Sequence, residues 1–289
     1  MYIHSHTLSD TRPAQATTLL DDLKKHIAAS GQTQVETRIE EERQWLSRTL
    51  VIIAENHSAA TRSTDLARRL LRSDIYRYIA SEFFVNSGPL RIQIRNFMRG
   101  LSHHLDDLLC QYESLLRDLI RKPKYMLFVG PRAEGTDVRD RRIAYHFMNE
   151  LADRKLSKLT PGILVCGMGH GARTPRDDQQ KTTRQWLEES GLKILSAKIL
   201  TDDIDRATRR YYNRDLRIDT VWPTDETQTE SNAIRLMELV NPTSEYLVIP
   251  TQNSPFERVT DVWNGFSSVS IAERYELVIL AKSMPRCKQ

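Results

Sequence analysis

Glu55 and His57 follow an apolar run, Leu50-Val51-Ile52-Ile53-Ala54, whose β-branched content reads as a buried parallel strand. Two residues apart, they point to one side if the strand conformation continues. In an open α/β sheet, ligands bind beyond the carboxyl ends of the strands. A carboxylate and an imidazole delivered there together suit acid–base chemistry. His57 would be the general base, and Glu55 or Glu82 would orient its other nitrogen and raise its basicity. The alternative is a strand end whose polar residues cap the next turn.

Three further positions fit the same picture. Glu82 lies in a second strand-like run, Tyr76 to Phe84, where an unpaired carboxylate is costly. It is expected either at a solvated sheet edge or facing a partner such as His57 or a metal. Ile163 to Gly167 is another strand, running into Gly167-Met168-Gly169-His170-Gly171. There the glycines permit close backbone approach, and His170 again stands just past a strand end, to hold substrate or act as an acid. Arg139-Asp140 opens a helix. Arg139 could hold an anionic group or a developing oxyanion, or pair with a carboxylate of the site; the pair also suits ordinary N-terminal capping.

The elements that would position these residues alternate along the chain. Helices are expected over about Val35 to Arg48, Thr64 to Ser73, Ser102 to Arg121 and from Arg139 to Leu151. Strands are expected at Leu50 to Ala54, Tyr76 to Phe84, Lys124 to Gly130, Ile163 to Gly167, Leu192 to Leu200, Tyr246 to Ile249 and Tyr275 to Ala281. This alternation predicts an α/β fold with a mostly parallel sheet and right-handed crossovers. Residues 86–101, with Gly88-Pro89 and Gly100, read as loop-like, and about 86–122 as a helical insertion. Earlier helices occupy 1–49. No Pro/Gly/Ser-rich linker divides the chain, so one domain over 1–289 is expected. The two strand-then-His units, ending at His57 and His170, suggest two related halves facing one site.

Composition narrows the function classes. The chain has 289 residues, 39% hydrophobic and 28% charged, which suits a globular fold with a sizeable core. A net charge of +4 from 42 basic and 38 acidic residues is too balanced to predict nucleic-acid binding. The apolar runs are of strand length, so no membrane span is expected. Met1 to Asp10 lacks a basic start followed by an apolar stretch, so a cytoplasmic protein is expected. Cys110, Cys166 and Cys287 form no CxxC pair, and Cys166 inside its strand is expected to be a buried, inert thiol. GxGxxG, P-loop, GxSxG and HExxH motifs are absent.

Taken in order, Glu55-Asn56-His57, Glu82, Arg139-Asp140 and Gly167-Met168-Gly169-His170 resemble the erythromycin esterase, ChaN and Tiki/TraB superfamily. The resemblance spans about Leu50 to Pro285. It implies a mostly parallel sheet built from two related βα halves, with helices on both faces and a site containing Glu55, His57, Glu82 and His170. It further implies a hydrolase-like enzyme acting on an ester, lactone, amide or related small molecule, with lyase or cyclase chemistry in secondary metabolism also open. Arg139 and Asp140 would bind substrate. The alternatives within the group are a metal-dependent Tiki-like protease, a haem- or ligand-binding protein, and a toxin domain without hydrolysis. Either no cofactor is expected, or a divalent metal (Mn, Co or Zn) held by His57, His170, Glu55 and Glu82. Ala54 departs from the group, which mostly carries Gly there, and this disfavours a strictly Tiki-like metal loop.

Overall fold

The computed structural model describes residues 21–22, 24–29, 34–55, 60–85, 87–100, 112–121, 124–131, 136–175, 180–201, 237, 243–258 and 269–282. The described elements are α1 (Val35–Trp45), β1 (Leu50–Glu55), α2 (Ala60–Arg72), β2 (Tyr78–Val85), α3 (Gly88–Met98), α4 (Glu113–Arg121), β3 (Tyr125–Gly130) and α5 (Thr136–Asp153). They continue with β4 (Gly162–Gly167), α6 (Met168–Gly171), α7 (Thr183–Glu189), β5 (Ile194–Leu200), β6 (Tyr246–Pro250), α8 (Ile271–Arg274) and β7 (Leu277–Ala281).

The strands form one seven-stranded sheet in the order β3-β2-β4-β1-β5-β7-β6. Every pairing is parallel except that of the edge strand β6 with β7. Both faces of the sheet are covered, which is why β1, β4 and β5 are buried along their whole length and read as mostly apolar runs.

Side-chain alternation divides the core between the two faces. Val51 and Ile53 of β1 and Ile163 and Val165 of β4 pack with Leu66, Leu70, Ile94, Leu115 and Leu116, placing α2, α3 and α4 on the first face. Leu50, Ile52, Leu164 and Cys166 pack with Ile143, Phe147 and Leu187, placing α5 and α7 on the second. A crossover of fixed hand explains the split. Connections running from β1 through β2 to β3 put their helices on one face, and the return through β4 to β5 puts them on the other. Strand β4 lies between β2 and β1, so the chain leaves neighbouring strand ends toward opposite faces on both sides of it. Such divergence opens a crevice at the carboxyl ends of the strands.

The segment after β2 corrects the sequence reading. Residues 88–98 are helical, not loop-like. The Ser87 hydroxyl caps the helix by accepting from the Leu90 N–H, and Pro89 lies in the first turn, where its missing N–H costs nothing. Gly100, at φ +71°, ends it. The last strand also begins later than expected. Tyr275 follows the one-turn helix α8, which a Ser270–Glu273 capping box opens. The helical segments expected before residue 21 and over 102–111 lie outside the described residues.

Candidate functional site

The site is built where β2 parts from β4. Their pairing ends at Ser81 opposite Val165, and the pairing of β2 with β3 is interrupted between Ser81 and Val85. Beyond that point the Glu82 carboxylate replaces the missing rung, its Oε1 accepting from the Gly167 N–H at 2.9 Å. A carboxylate that accepts a buried backbone donor is fixed in place. Gly130 makes room for this bend, because a Cβ on Gly130 would lie 2.0 Å from the Glu82 carbonyl oxygen.

His170 stands on the single turn α6, directly after β4. Side chains from other elements pin the backbone on both sides of it. The Tyr275 hydroxyl donates to the Met168 carbonyl at 2.9 Å, Ser196 to the Gly171 carbonyl at 2.6 Å and Thr182 to the Ala172 carbonyl at 2.8 Å. Gly171 is seated against β1, where a Cβ would come within 2.9 Å of both Ala54 and Ile52. The backbone that carries the imidazole is thus anchored by three side chains and by its packing on β1.

Both ring nitrogens meet carboxylates. Nδ1 lies 2.8 Å from Asp140 Oδ1, and Nε2 lies 3.3 Å from Glu82 Oε2. Asp140, near the start of α5, is itself fixed by the first residue of α7. The Thr183 N–H and hydroxyl both donate to its Oδ1, at 2.5 Å and 2.6 Å. Thr182 caps that helix in a capping box with Gln185. Arg139 completes the row, its Nη2 donating to Glu82 Oε2 at 3.5 Å.

Because ionised Asp140 only accepts, Nδ1 must carry a proton. The Nε2–Glu82 contact then needs a second proton, since two lone pairs facing each other repel. Burial pushes the His170 pKa down, but the Asp140 hydrogen bond and the Glu82 charge outweigh it and the opposing Arg139, so it ends above the ordinary 6.5. Burial raises the Asp140 pKa in turn, and the bonds from His170 and Thr183 more than reverse this, leaving it below 3.8. The raised pKa favours the imidazolium here, with each ring nitrogen facing a carboxylate. The imidazolium can give up a proton at Nε2 and then take one back.

Glu55 belongs to the other face. It follows Val51 and Ile53 in the alternation, is 1% exposed, and accepts a hydrogen bond from Ser63 of α2. Nearby on that face, the fully buried Tyr112 hydroxyl lies 2.8 Å from Ser81 Oγ. Burial, and then the charges of Glu55 and Glu82, hold the Tyr112 phenol well above its usual 10, so it stays a neutral donor. Cys166, buried in β4 between the two carboxylates, has its thiol pushed well above 9.0 by burial and by Glu82, Asp140 and Glu55; it is inert, as expected.

Of the residues singled out from sequence, the structure brings together Glu82, His170, Asp140 and Arg139. Glu55 flanks the same strand end from the opposite face, and His57 lies outside the described residues. Two assignments change. Glu82 touches His170, whereas from sequence it was matched with His57 or a metal. Asp140, expected to bind substrate, is hydrogen-bonded to His170 and Thr183. Thr183, Tyr112, Ser63 and the fully buried Lys198 on β5 were missed. Lys198 alone carried a signal, a lysine inside an apolar strand run.

Among the described residues, no group of three or more His, Cys, Asp and Glu side chains is arranged to hold a metal ion. Among the described residues no helix is long and apolar enough to cross a membrane. The chain matches no protein-family model, no curated protein and no solved structure.

Proposed function

We propose that the chain is a hydrolase-like acid–base enzyme acting on a small molecule, such as an ester, lactone, amide or related compound. The observation that carries this reading is the row Asp140–His170–Glu82, held at the carboxyl end of β4. His170 is the proton donor, Asp140 fixes its orientation, and the Glu82 carboxylate steadies the charged ring until the Nε2 proton passes to the leaving atom. In hydrolysis the imidazolium protonates the leaving oxygen or nitrogen while water attacks the carbonyl. His57, carried by the segment after β1, is proposed as the base that activates this water, with Glu55 supporting that side. Loss of a β-leaving group and ring closure need the same proton transfers, so lyase or cyclase chemistry belongs to this reading too. Positioned acid–base groups contribute about 10²–10⁴-fold in rate.

The test is turnover of a panel of esters, lactones, amides and carbonyl compounds with β-leaving groups, followed by mass spectrometry. Wild-type protein is compared with His170→Gln. Turnover that drops by about 10²-fold or more in the variant, at unchanged melting temperature, supports the reading. Equal turnover in both proteins, or none on any compound, contradicts it.

A further inference from the structure

Glu276 ties together the elements that hold His170 and Asp140. It stands just before β7, is buried, and both its carboxylate oxygens are in use. Oε1 accepts from Arg184 Nη2 at 2.6 Å and from Arg173 Nη2 at 2.8 Å. Oε2 accepts from Arg184 Nη1 at 2.8 Å and from the Ser196 N–H at 2.9 Å. Burial raises the Glu276 pKa, but Arg184 and then Arg173 outweigh it and hold the carboxyl below 4.5, so it is ionised near neutral pH.

Two routes run from this carboxylate to the proton row. In the first, Ser196 gives its N–H to Glu276 and its hydroxyl to the Gly171 carbonyl, at 2.6 Å, one residue past His170. Pairing of β5 with β7 begins only at Ala197 opposite Leu277, so the Glu276 side chain supplies the acceptor that the ladder lacks at Ser196. The second route passes through α7. Arg184 bonds both Glu276 oxygens, and the residue before it, Thr183, donates its N–H and hydroxyl to Asp140 Oδ1 at 2.5 Å and 2.6 Å. His170 and Asp140 lie on different elements, α6 and α5, so their 2.8 Å hydrogen bond depends on where these two supports stand. Arg173, three residues past His170, adds a third tie to the same carboxylate.

Stability alone does not call for this arrangement. A buried ion pair recovers little beyond its desolvation cost, and apolar side chains of the same volume serve a core as well or better. Apolar side chains cannot, however, accept from the Ser196 N–H or fix a guanidinium through two parallel bonds. We propose that Glu276 is a positioning residue that holds His170 and Asp140 in register. It rests on the acid–base reading for the chemical use of their hydrogen bond. Because Glu276 acts on the row through Ser196 and Arg184, its loss is expected in kcat and not in KM.

The test is Glu276→Gln in the full chain, followed by turnover and by NMR of the His170 imidazole, with His170→Gln to assign the signal. Expected are an imidazole pKa below the wild-type value and a kcat about ten-fold or more lower at unchanged KM. In an Asp140→Asn background the same substitution should cause little further pKa shift, because the charge being positioned is gone. Leu116→Ala, a core truncation in α4 on the other face of the sheet, destabilises the fold without touching the network and should leave the imidazole unmoved. Should Glu276→Gln fail to fold, Ser196→Ala decides, since it keeps the carboxylate, removes only the donor to Gly171, and should lower the imidazole pKa part of the way. The positioning role is overturned by a wild-type pKa in Glu276→Gln, by an equal shift in the Asp140→Asn background or in Leu116→Ala, by a loss confined to KM, or, where Glu276→Gln does not fold, by a wild-type pKa in Ser196→Ala. A shifted imidazole in a protein whose turnover ignores His170→Gln overturns the acid–base reading and leaves the positioning role standing.

Discussion

Glu55 and Glu82 flank the end of β4 on its two sides, yet their carboxylates reach opposite faces of the sheet. Glu55 accepts from Ser63 on the α2 face, and Glu82 accepts from Gly167 on the α5 face. Of these two, only Glu82 contacts His170, and this makes a prediction about coupling. Glu82→Gln and His170→Gln should be strongly non-additive in turnover, the double variant being little worse than the worse single one. Glu55→Gln combined with His170→Gln should be near additive. Kinetics of the two double-mutant cycles check this.

Asp140 both orients His170 and raises its pKa, so Asp140→Asn should act on both. If the acid form of His170 is active, turnover falls as pH rises through its pKa, which lies above 6.5 in the wild type. Asp140→Asn removes an upward influence and should move that limb to lower pH while reducing the maximum by about 10-fold or more. A rate–pH profile of the variant shows whether the limb moves down.

Linkage gives the matching stability prediction. A raised histidine pKa contributes stability that is fully present below the unfolded value and is lost as pH rises through the folded one. The stability gap between wild type and His170→Gln should therefore narrow as pH rises through and above the folded His170 pKa, itself above 6.5. Asp140 has the opposite sign. Its lowered pKa contributes stability above 3.8 that is lost as pH falls through the folded value. Urea unfolding at a series of pH values measures both trends.

Gly130 is a steric requirement of the site. Gly130→Ala places a methyl group 2.0 Å from the Glu82 carbonyl oxygen, so the β2 bend must shift. Overpacking of this kind costs about 1–3 kcal/mol, and here it should also lower turnover by displacing Glu82. Thermal melts and turnover of the variant would show both losses together.

Arg184 joins α7 to Glu276 beside β7, away from the proposed chemistry. Arg184→Ala leaves the buried Glu276 short of its main partner and should destabilise the fold by about 3–5 kcal/mol. Because Thr183 next to it holds Asp140, the His170 pKa should shift as well. Denaturant titration and an imidazole titration separate the two effects.

The sheet was legible in the sequence because its strands are buried on both faces and read as short apolar runs closed by Gly or a polar residue. Glu82, His170, Asp140 and Arg139 stood out because each interrupts or ends such a run, or opens a helix, at a strand's carboxyl end. Their pairing was not legible. Which carboxylate meets which histidine depends on strand order, and the insertion of β4 between β1 and β2 has no local signature. The face to which Glu82 turns depends on the bend in β2, made possible by Gly130 from another strand. Thr183 was invisible for a similar reason. It acts through the first turn of a short helix brought to Asp140 only by the fold. The helix α3 was missed because Gly88-Pro89 was read as a breaker, whereas after a capping serine it is a helix start.

The most direct test of the proton-sharing row is the His170 imidazole pKa, measured by NMR in wild type and in Glu82→Gln. The acid–base assignment predicts a wild-type value above 6.5 that falls in the variant, because the Glu82 charge helps hold the proton. A wild-type value at or below 6.5, or one unchanged by Glu82→Gln, would contradict it.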